Sequence, residues 1–128
     1  MFVNCSNHPS TNWSEAQFDA AGKIIKSENI KTAFEIVDYP FPNVDPEMDE
    51  DELDVLAERT AEEIIALSPD AVMCQGEYTL TYRLVNLLKK NEIIVVSACS
   101  ERRVVEKSRE DGSTVKEALF SFVRFRRY

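Results

Sequence analysis

The sequence has few glycines and almost no histidine, with 3 glycines and 1 histidine among 128 residues. The phosphate-binding loops of dinucleotide-binding proteins and of P-loop nucleotide hydrolases each require several glycines at fixed spacing. No such spacing occurs here, so the sequence does not support nicotinamide or ATP chemistry. We therefore predict that the protein uses no cofactor.

Cysteine is also scarce, and the three cysteines are Cys5, Cys74 and Cys99. An odd number of cysteines, each inside an apolar run, favours reduced and buried thiols over a disulfide framework. No C-x-x-C or similar spacing indicates a metal site, and we predict none. The acidic residues concentrated between 45 and 54 are interpreted as a solvated loop and helix start.

No apolar run approaches the ~20 residues that a membrane-spanning helix requires, and the first residues lack the features of a signal peptide. We therefore expect a cytoplasmic protein with no membrane contact. The 15 basic residues are outnumbered by 23 acidic ones, giving a formal net charge of −8. This charge opposes binding to long duplex nucleic acid, but it leaves open a small anionic ligand in a local pocket.

Strand-like and helix-like segments alternate along residues 1–128, which predicts a single α/β domain. Apolar runs at 2–5, 33–37, 71–74 and 93–96 predict four strands, the second ending at Asp38 before Pro40. Helical periodicity follows Ser14, covers 53–67 and covers 78–90. This order predicts a Rossmann-like, largely parallel sheet with helices on both faces. Beyond residue 100, a turn at 110–113 between alternating segments predicts a C-terminal antiparallel hairpin.

Ligands of open α/β sheets bind beyond the carboxyl ends of the strands, where loop amides and helix N-termini are exposed. Polar residues occur at these ends of the predicted strands. Besides Asp38, the candidate ligand-binding and catalytic residues are Asn7, His8 and Ser10 after the first strand, Gln75, Gly76, Glu77 and Thr79 after the third, and Ser100 and Arg102 after the fourth.

His8 is the natural candidate for proton transfer near neutral pH, although a loop histidine often only bonds a backbone carbonyl. Gly76 permits close approach of a ligand to the backbone, or else supplies a positive φ in a tight turn. Arg102 and its neighbour Arg103 either hold a phosphate or pair with the protein's own acids. Cys99 is interpreted as a packed side chain rather than a nucleophile.

One basic aromatic patch lies at the C-terminus, where Arg124, Arg126 and Arg127 alternate with Phe122, Phe125 and Tyr128. Such a patch can stack a nucleobase. A strand with one solvated face and one packed face gives the same pattern, and we favour that interpretation.

The segments 2–8 (FVNCSNH) and 72–79 (VMCQGEYT), together with Pro9, Trp13 and Gln17, resemble CARF-like CRISPR-associated proteins. Within that group, the resemblance is to the ring nucleases and the proteins that bind cyclic oligoadenylate. It covers about the first two-thirds of the chain. The acidic segment before residue 54 and the C-terminal hairpin have no counterpart in the resemblance.

The resemblance implies a homodimer whose pockets meet across a two-fold axis and enclose a cyclic oligoadenylate, such as cyclic tetra-adenylate. It also implies metal-independent cleavage by attack of a ribose 2′-hydroxyl on the neighbouring phosphate. His8 would then transfer a proton, Ser10 and Gln75 would position the ligand, and Arg102 would contact phosphate. Two alternatives are a noncatalytic sensor or sponge for the same ligand, and an unrelated nucleotide- or nucleoside-processing enzyme using Glu77.

Overall fold

The computed structural model describes residues 1–26 and 34–128 of the chain. These residues form a mixed five-stranded sheet, mostly parallel, flanked by three α-helices and one short 3-10 helix. In chain order, the elements are β1 (Phe2–Ser6), the 3-10 turn Ser10–Asn12, α1 (Glu15–Ile25), β2 (Ile36–Pro40), α2 (Glu50–Ala66), β3 (Ala71–Cys74), α3 (Tyr78–Lys90), β4 (Ile94–Ser108) and β5 (Thr114–Arg127).

The strands lie in the order β2-β1-β3-β4-β5. The first four run parallel, and β5 pairs antiparallel with β4 at one edge. The α/β class, the parallel sheet and the C-terminal hairpin that the sequence predicts are therefore confirmed. No helix within residues 1–26 and 34–128 has the length and apolar character needed to cross a membrane.

The two faces of the sheet carry separate apolar clusters because successive side chains of a strand point to opposite faces. On one face, Val3, Cys5, Val72 and Cys74 pack against α2 and α3. On the other, Phe2 and Met73 pack with Trp13 and the residues of α1. We call these the α2/α3 face and the α1 face. All four residues of β3 are buried, as expected for a strand with helices on both sides.

Local sequence explains where the helices begin. Ser14 and Gln17 form the reciprocal capping box that the sequence predicts for the start of α1. Asp49 caps α2 by accepting a hydrogen bond from the backbone N–H of Glu52. The acidic residues between 45 and 54 thus form a loop and a capped helix start, which agrees with the interpretation from sequence.

The second strand lies further along the chain than predicted. It runs from Ile36 to Pro40, so Asp38 lies inside it rather than at its end. Proline is tolerated here because β2 is an edge strand, and a proline at its end removes no hydrogen bond from the interior of the sheet. Ala33, which the sequence places in this strand, lies outside the described residues.

The fourth strand is much longer than the predicted segment 93–96. Its first residues, Ile94 to Val96, pair with β3, and the rest of β4 pairs only with β5. The two strands therefore continue beyond the parallel sheet as a two-stranded ribbon, which we define as residues 97–108 and 114–126. Arg109 and Gly112 close its turn, and Gly112 has a φ of +84°. This turn confirms the hairpin predicted at 110–113.

Candidate functional site

Two polar side chains interrupt the apolar pattern of β1. Phe2, Asn4 and Ser6 share the α1 face, yet Asn4 is only 1% exposed and Ser6 only 7% exposed. Buried polar groups are stable only when they are hydrogen-bonded. Ser6 Oγ donates to Asn4 Oδ1 at 2.7 Å, so the two residues satisfy each other in part.

The remaining hydrogen bonds of this pair fix the loop that follows β1. Asn4 Nδ2 donates to the backbone carbonyl of His8 at 2.8 Å, and Ser6 Oγ lies 3.2 Å from the same carbonyl. The backbone N–H of His8 donates to Ser6 Oγ at 3.1 Å. The backbone N–H and the backbone C=O of His8 are therefore both hydrogen-bonded to side chains of β1.

Asp38 holds the loop from the neighbouring strand. Its carboxylate accepts from Asn4 Nδ2 at 2.8 Å, from the Ser10 backbone N–H at 3.0 Å and from Ser10 Oγ at 2.9 Å. The same Asn4 amide thus bridges β2 and the loop. We call the group Asn4, Ser6, Asp38 and Ser10 the loop clamp.

The clamp leaves the side chain of His8 free. Among the described residues, the hydrogen bonds of His8 involve only its backbone, and its side chain is exposed. Beside the loop lies a cavity of about 240 Å³ lined by Asn4, Ser6, Asn7 and Asp38, among others. The backbone of His8 is thus fixed, while its imidazole is exposed at the rim of the sheet.

The loop after β3 is arranged differently, and its side chains bond to the protein itself. Gln75 Oε1 accepts from the Ala98 backbone N–H at 2.7 Å, and Gln75 Nε2 lies 3.4 Å from the Ala98 carbonyl. The Gln75 amide thus continues the pairing between β3 and β4 by about one residue. Its role here is to fasten the base of the ribbon.

Glu77, the next candidate, caps helix α3. Its carboxylate accepts from the backbone N–H groups of Thr79 at 3.1 Å and Leu80 at 2.8 Å, and from Thr79 Oγ1 at 2.6 Å. The Thr79 hydroxyl bond, followed by the Leu80 amide bond, holds the pKa of Glu77 below its ordinary value. The helix amides that would bind a phosphate here are already occupied.

Gly76 is required for packing rather than for ligand approach. A Cβ at this position would lie 2.4 to 2.5 Å from ring atoms of Phe41. Phe41 is buried, and its backbone N–H donates to Ser6 O just beyond β2. Among the described residues, the one glycine with positive φ is Gly112, so Gly76 does not serve as a left-handed turn. The Phe41 ring therefore covers the space that a ligand at Gly76 would need.

Ser100 and Arg102 lie on the ribbon above the rim. Ser100 pairs with Phe122 and Arg102 with Phe120, and both residues are exposed. They share the α1 face with Ala98, which belongs to the α1-face cluster. Arg102 lies four residues beyond Ala98, about 13 Å along the strand at 3.3 Å per residue.

The structure thus divides the sequence-predicted candidates into two groups. Asn7, His8, Ser10, Gln75, Ser100 and Arg102 lie on or above the α1 face, whereas Gly76, Glu77 and Thr79 lead into α3 on the opposite face. The cavity beside the β1 loop is lined by residues of β1, β2 and the segments that follow them, and not by Gln75, Ser100 or Arg102. We take this space as the candidate site. Within the cluster of the α1 face, the buried indole Nε1 of Trp13 has no hydrogen-bond partner among the described residues.

Sequence reasoning missed the loop clamp as a unit. The signal was present in β1, where polar residues at 4 and 6 continue the face that begins with Phe2. A buried strand with two adjacent polar positions on one face indicates a network of hydrogen bonds rather than ordinary core packing. The sequence predicts the end of β2 at Asp38, whereas in the structure this residue lies inside the strand and pairs opposite Asn4.

The other sequence candidates have structural roles. The three cysteines are free thiols, with Cys5 and Cys74 buried and Cys99 half-buried. A hydrogen bond to Cys5 and then burial raise the pKa of the Cys74 thiol, so this thiol stays protonated. No group of three or more metal-ligating side chains occurs within residues 1–26 and 34–128.

The basic aromatic patch does not form a stacking platform. Phe122 and Phe125 pack against each other at 4.9 Å between ring centres, on the α1 face. Arg124 and Arg126 pair with Cys99 and Ser97 on the other face. The interpretation of one packed and one solvated face agrees with this arrangement.

Comparison with protein-family models matches residues 1–126 to the family described as "Uncharacterized protein MJ1673 family". The chain belongs to this family. No curated protein and no solved structure matches the chain. The family description names no activity, so the site must be interpreted from its own geometry.

Proposed function

We propose that the protein is a CRISPR-associated ring nuclease of the cytoplasm that binds and cleaves cyclic oligoadenylate, with cyclic tetra-adenylate as the first substrate to test. The observation that carries the proposal is the loop clamp, which fixes the backbone of His8 and leaves its imidazole exposed at the rim of a parallel α/β sheet. The sequence resemblance in the β1 and β3 segments supplies the substrate class.

The proposed contacts with His8 and Arg102 require an oligonucleotide rather than a single nucleotide. Strands β1 and β4 are separated by β3, so their ends lie about 10 Å apart at the usual strand spacing. Arg102 lies further out along the ribbon. A ligand that contacts both His8 and Arg102 must therefore span on the order of 15 Å.

The proposed chemistry needs no metal. The ribose 2′-oxygen forms a bond to the adjacent phosphorus, and the bond from phosphorus to the 5′-oxygen breaks. The products are a 2′,3′-cyclic phosphate and a 5′-hydroxyl, and no water is consumed. His8 accepts the 2′-hydroxyl proton or donates a proton to the leaving 5′-oxygen, and Arg102 balances charge on the phosphate.

The test is incubation of the protein with cyclic tetra-adenylate in EDTA, with products separated by mass. We expect linear products from the wild-type chain and a loss of about 10²- to 10⁴-fold in turnover for His8→Ala, with little change in affinity. Asn86→Ala, an exposed change on α3, is the control and should cleave normally. An intact ring under saturating wild-type protein would contradict the enzymatic proposal.

The same experiment separates the sensor or sponge from the enzyme. Calorimetric binding of the ring to the wild-type chain without turnover would establish the sponge. Absence of both binding and cleavage would remove cyclic oligoadenylate as the ligand altogether.

A further inference from the structure

The outer edge of β5 is the largest exposed backbone edge that the structure describes. The strand runs 14 residues from Thr114 to Arg127 and pairs on one side with β4. Its other side, at the end of the sheet order, pairs with no described strand. Proteins normally shorten, bend, charge or cover such an edge because it can pair with another chain.

Both faces of the ribbon carry exposed apolar side chains beside the charged residues of β4. Phe120 is 72% exposed and Val104 is 60% exposed on one face, while Val123 is 59% exposed and Leu119 is 48% exposed on the other. An isolated two-stranded ribbon is only marginally stable in water, and additional strands stabilise it. We propose that β5 pairs antiparallel with β5 of a second copy of this chain.

The hydrogen-bond pattern shows which backbone groups are free to do this. Arg109 and Ser113 form a hydrogen-bonded pair, with the Arg109 N–H 2.7 Å from the Ser113 carbonyl. Hydrogen-bonded and non-hydrogen-bonded pairs alternate along an antiparallel ladder. Leu119 therefore bonds inward to Arg103, whereas Ala118, Phe120 and Phe122 direct their N–H and C=O groups outward.

A two-fold axis at Phe120 fits these outward groups and the side chains. It pairs Phe120 with its copy and places Ala118 opposite Phe122 of the second copy, a small residue against a large one. It also uses nearly the whole strand, because Phe120 lies next to the midpoint of Thr114–Arg127. Cross-strand aromatic pairs of this kind stabilise antiparallel sheets.

Charge favours the antiparallel arrangement over a parallel one. The axis at Phe120 brings Glu117, which already bonds Lys107 at 2.9 Å, opposite the bulged residues Val123 and Arg124 of the second copy. A parallel pairing would instead place Arg124 beside Arg124, and like charges directly opposite are destabilising. The antiparallel dimer therefore keeps the basic C-terminal ends of the two strands, with Arg124, Arg126 and Arg127, apart from each other.

This dimer is independent of the proposed nuclease activity, and it determines how the His8 sites of the two copies are oriented. A two-fold axis perpendicular to the sheet reverses every strand, so the rims of the two copies face opposite directions. Each copy then keeps its own His8 site. This differs from the meeting pockets that the sequence resemblance implies.

The test is the mass of the protein in solution by light scattering, with no ligand present. We expect twice the 14.6 kDa of one chain for the wild type. Ala118→Pro removes an outward N–H that the second copy needs, so it should give a monomer. The monomer should remain folded, because the substitution leaves the hydrogen bonds to β4 intact. Ala118→Ser changes the side chain alone, so the dimer should persist.

A second variant guards against misfolding of the proline variant. Phe120→Glu places two carboxylates against each other at the axis and should also give a monomer, with a circular dichroism spectrum like that of the wild type. A monomeric wild type, or a dimer that survives both variants in folded form, would overturn the proposal.

Discussion

The loops that follow β1 and β3 leave the same rim from neighbouring strands, and both are rich in polar residues. In the β3 loop, the polar side chains are consumed: Gln75 binds Ala98, and Glu77 caps α3. In the β1 loop, hydrogen bonds from Asn4, Ser6 and Asp38 hold the backbone, and the side chain of His8 remains exposed. Loops of similar composition therefore give one structural loop and one candidate site. The hydrogen bonds of the β3 loop use its side chains, whereas those of the β1 loop fix the backbone of His8 and leave its side chain exposed.

The sharpest test of this comparison is Asn4→Asp, which keeps the shape of the side chain. The new carboxylate is buried and lies against Asp38, where the amide now donates at 2.8 Å. We expect a loss of about 3–5 kcal/mol in the free energy of unfolding at neutral pH, measured by urea denaturation. The loss should shrink in acid, as one of the two carboxylates becomes protonated.

Asn7→Asp is the matched control, because Asn7 is exposed in the same loop. Its effect should stay within about 0.5 kcal/mol. Equal effects of the two variants would show that the clamp does not hold the loop.

The next largest effect is expected from Gly76→Ala in the β3 loop. The added Cβ overlaps the Phe41 ring, so we expect a cost of about 1–3 kcal/mol from overpacking. A double-mutant cycle with Phe41→Leu measures the cause, since the smaller side chain should relieve part of the clash. If the changes in the free energy of unfolding were strictly additive, the residues at 76 and 41 would not interact.

Glu77→Ala should have the smallest of these effects, about 1 kcal/mol, through loss of the α3 cap. Because the folded-state pKa of Glu77 is lowered, its stabilising contribution is present above the unfolded-state pKa. That contribution is lost as the pH falls through the folded-state value, so wild type and variant should converge in acid. Glu77→Asp should retain much of the cap.

The same variant tests the alternative enzyme that uses Glu77. A folded Glu77→Ala protein that loses all activity toward its ligand, with only the expected loss of stability, would support that alternative over a capping role.

Much of the architecture follows from local sequence. The apolar run Ala71–Cys74 and the periodicity of Tyr78–Lys90 predict β3 and α3 at the observed bounds. The Ser14 capping box predicts the start of α1. These features depend on neighbouring residues, so one sequence contains the information needed to recognise them.

The features that escaped prediction depend on residues far apart in the chain. The length of β4 follows from its pairing with β5, not from the hydrophobicity of Glu101 or Arg102. A bulge opposite Cys99 and Ser100 breaks the simple alternation of β5 and brings Phe125 onto the face of Phe122. The covering of Gly76 by Phe41 also joins residues 35 positions apart. Such contacts leave no local periodic signal.

Pro40 gives the sheet an asymmetry that matters for assembly. Strand β2, at the far edge from β5, is only five residues long and ends in a residue that has no N–H to donate. A sheet with two receptive edges can add copies indefinitely and form fibres, whereas a single receptive edge used through a two-fold axis is exhausted after one partner. Self-association through β5 would thus stop at two chains.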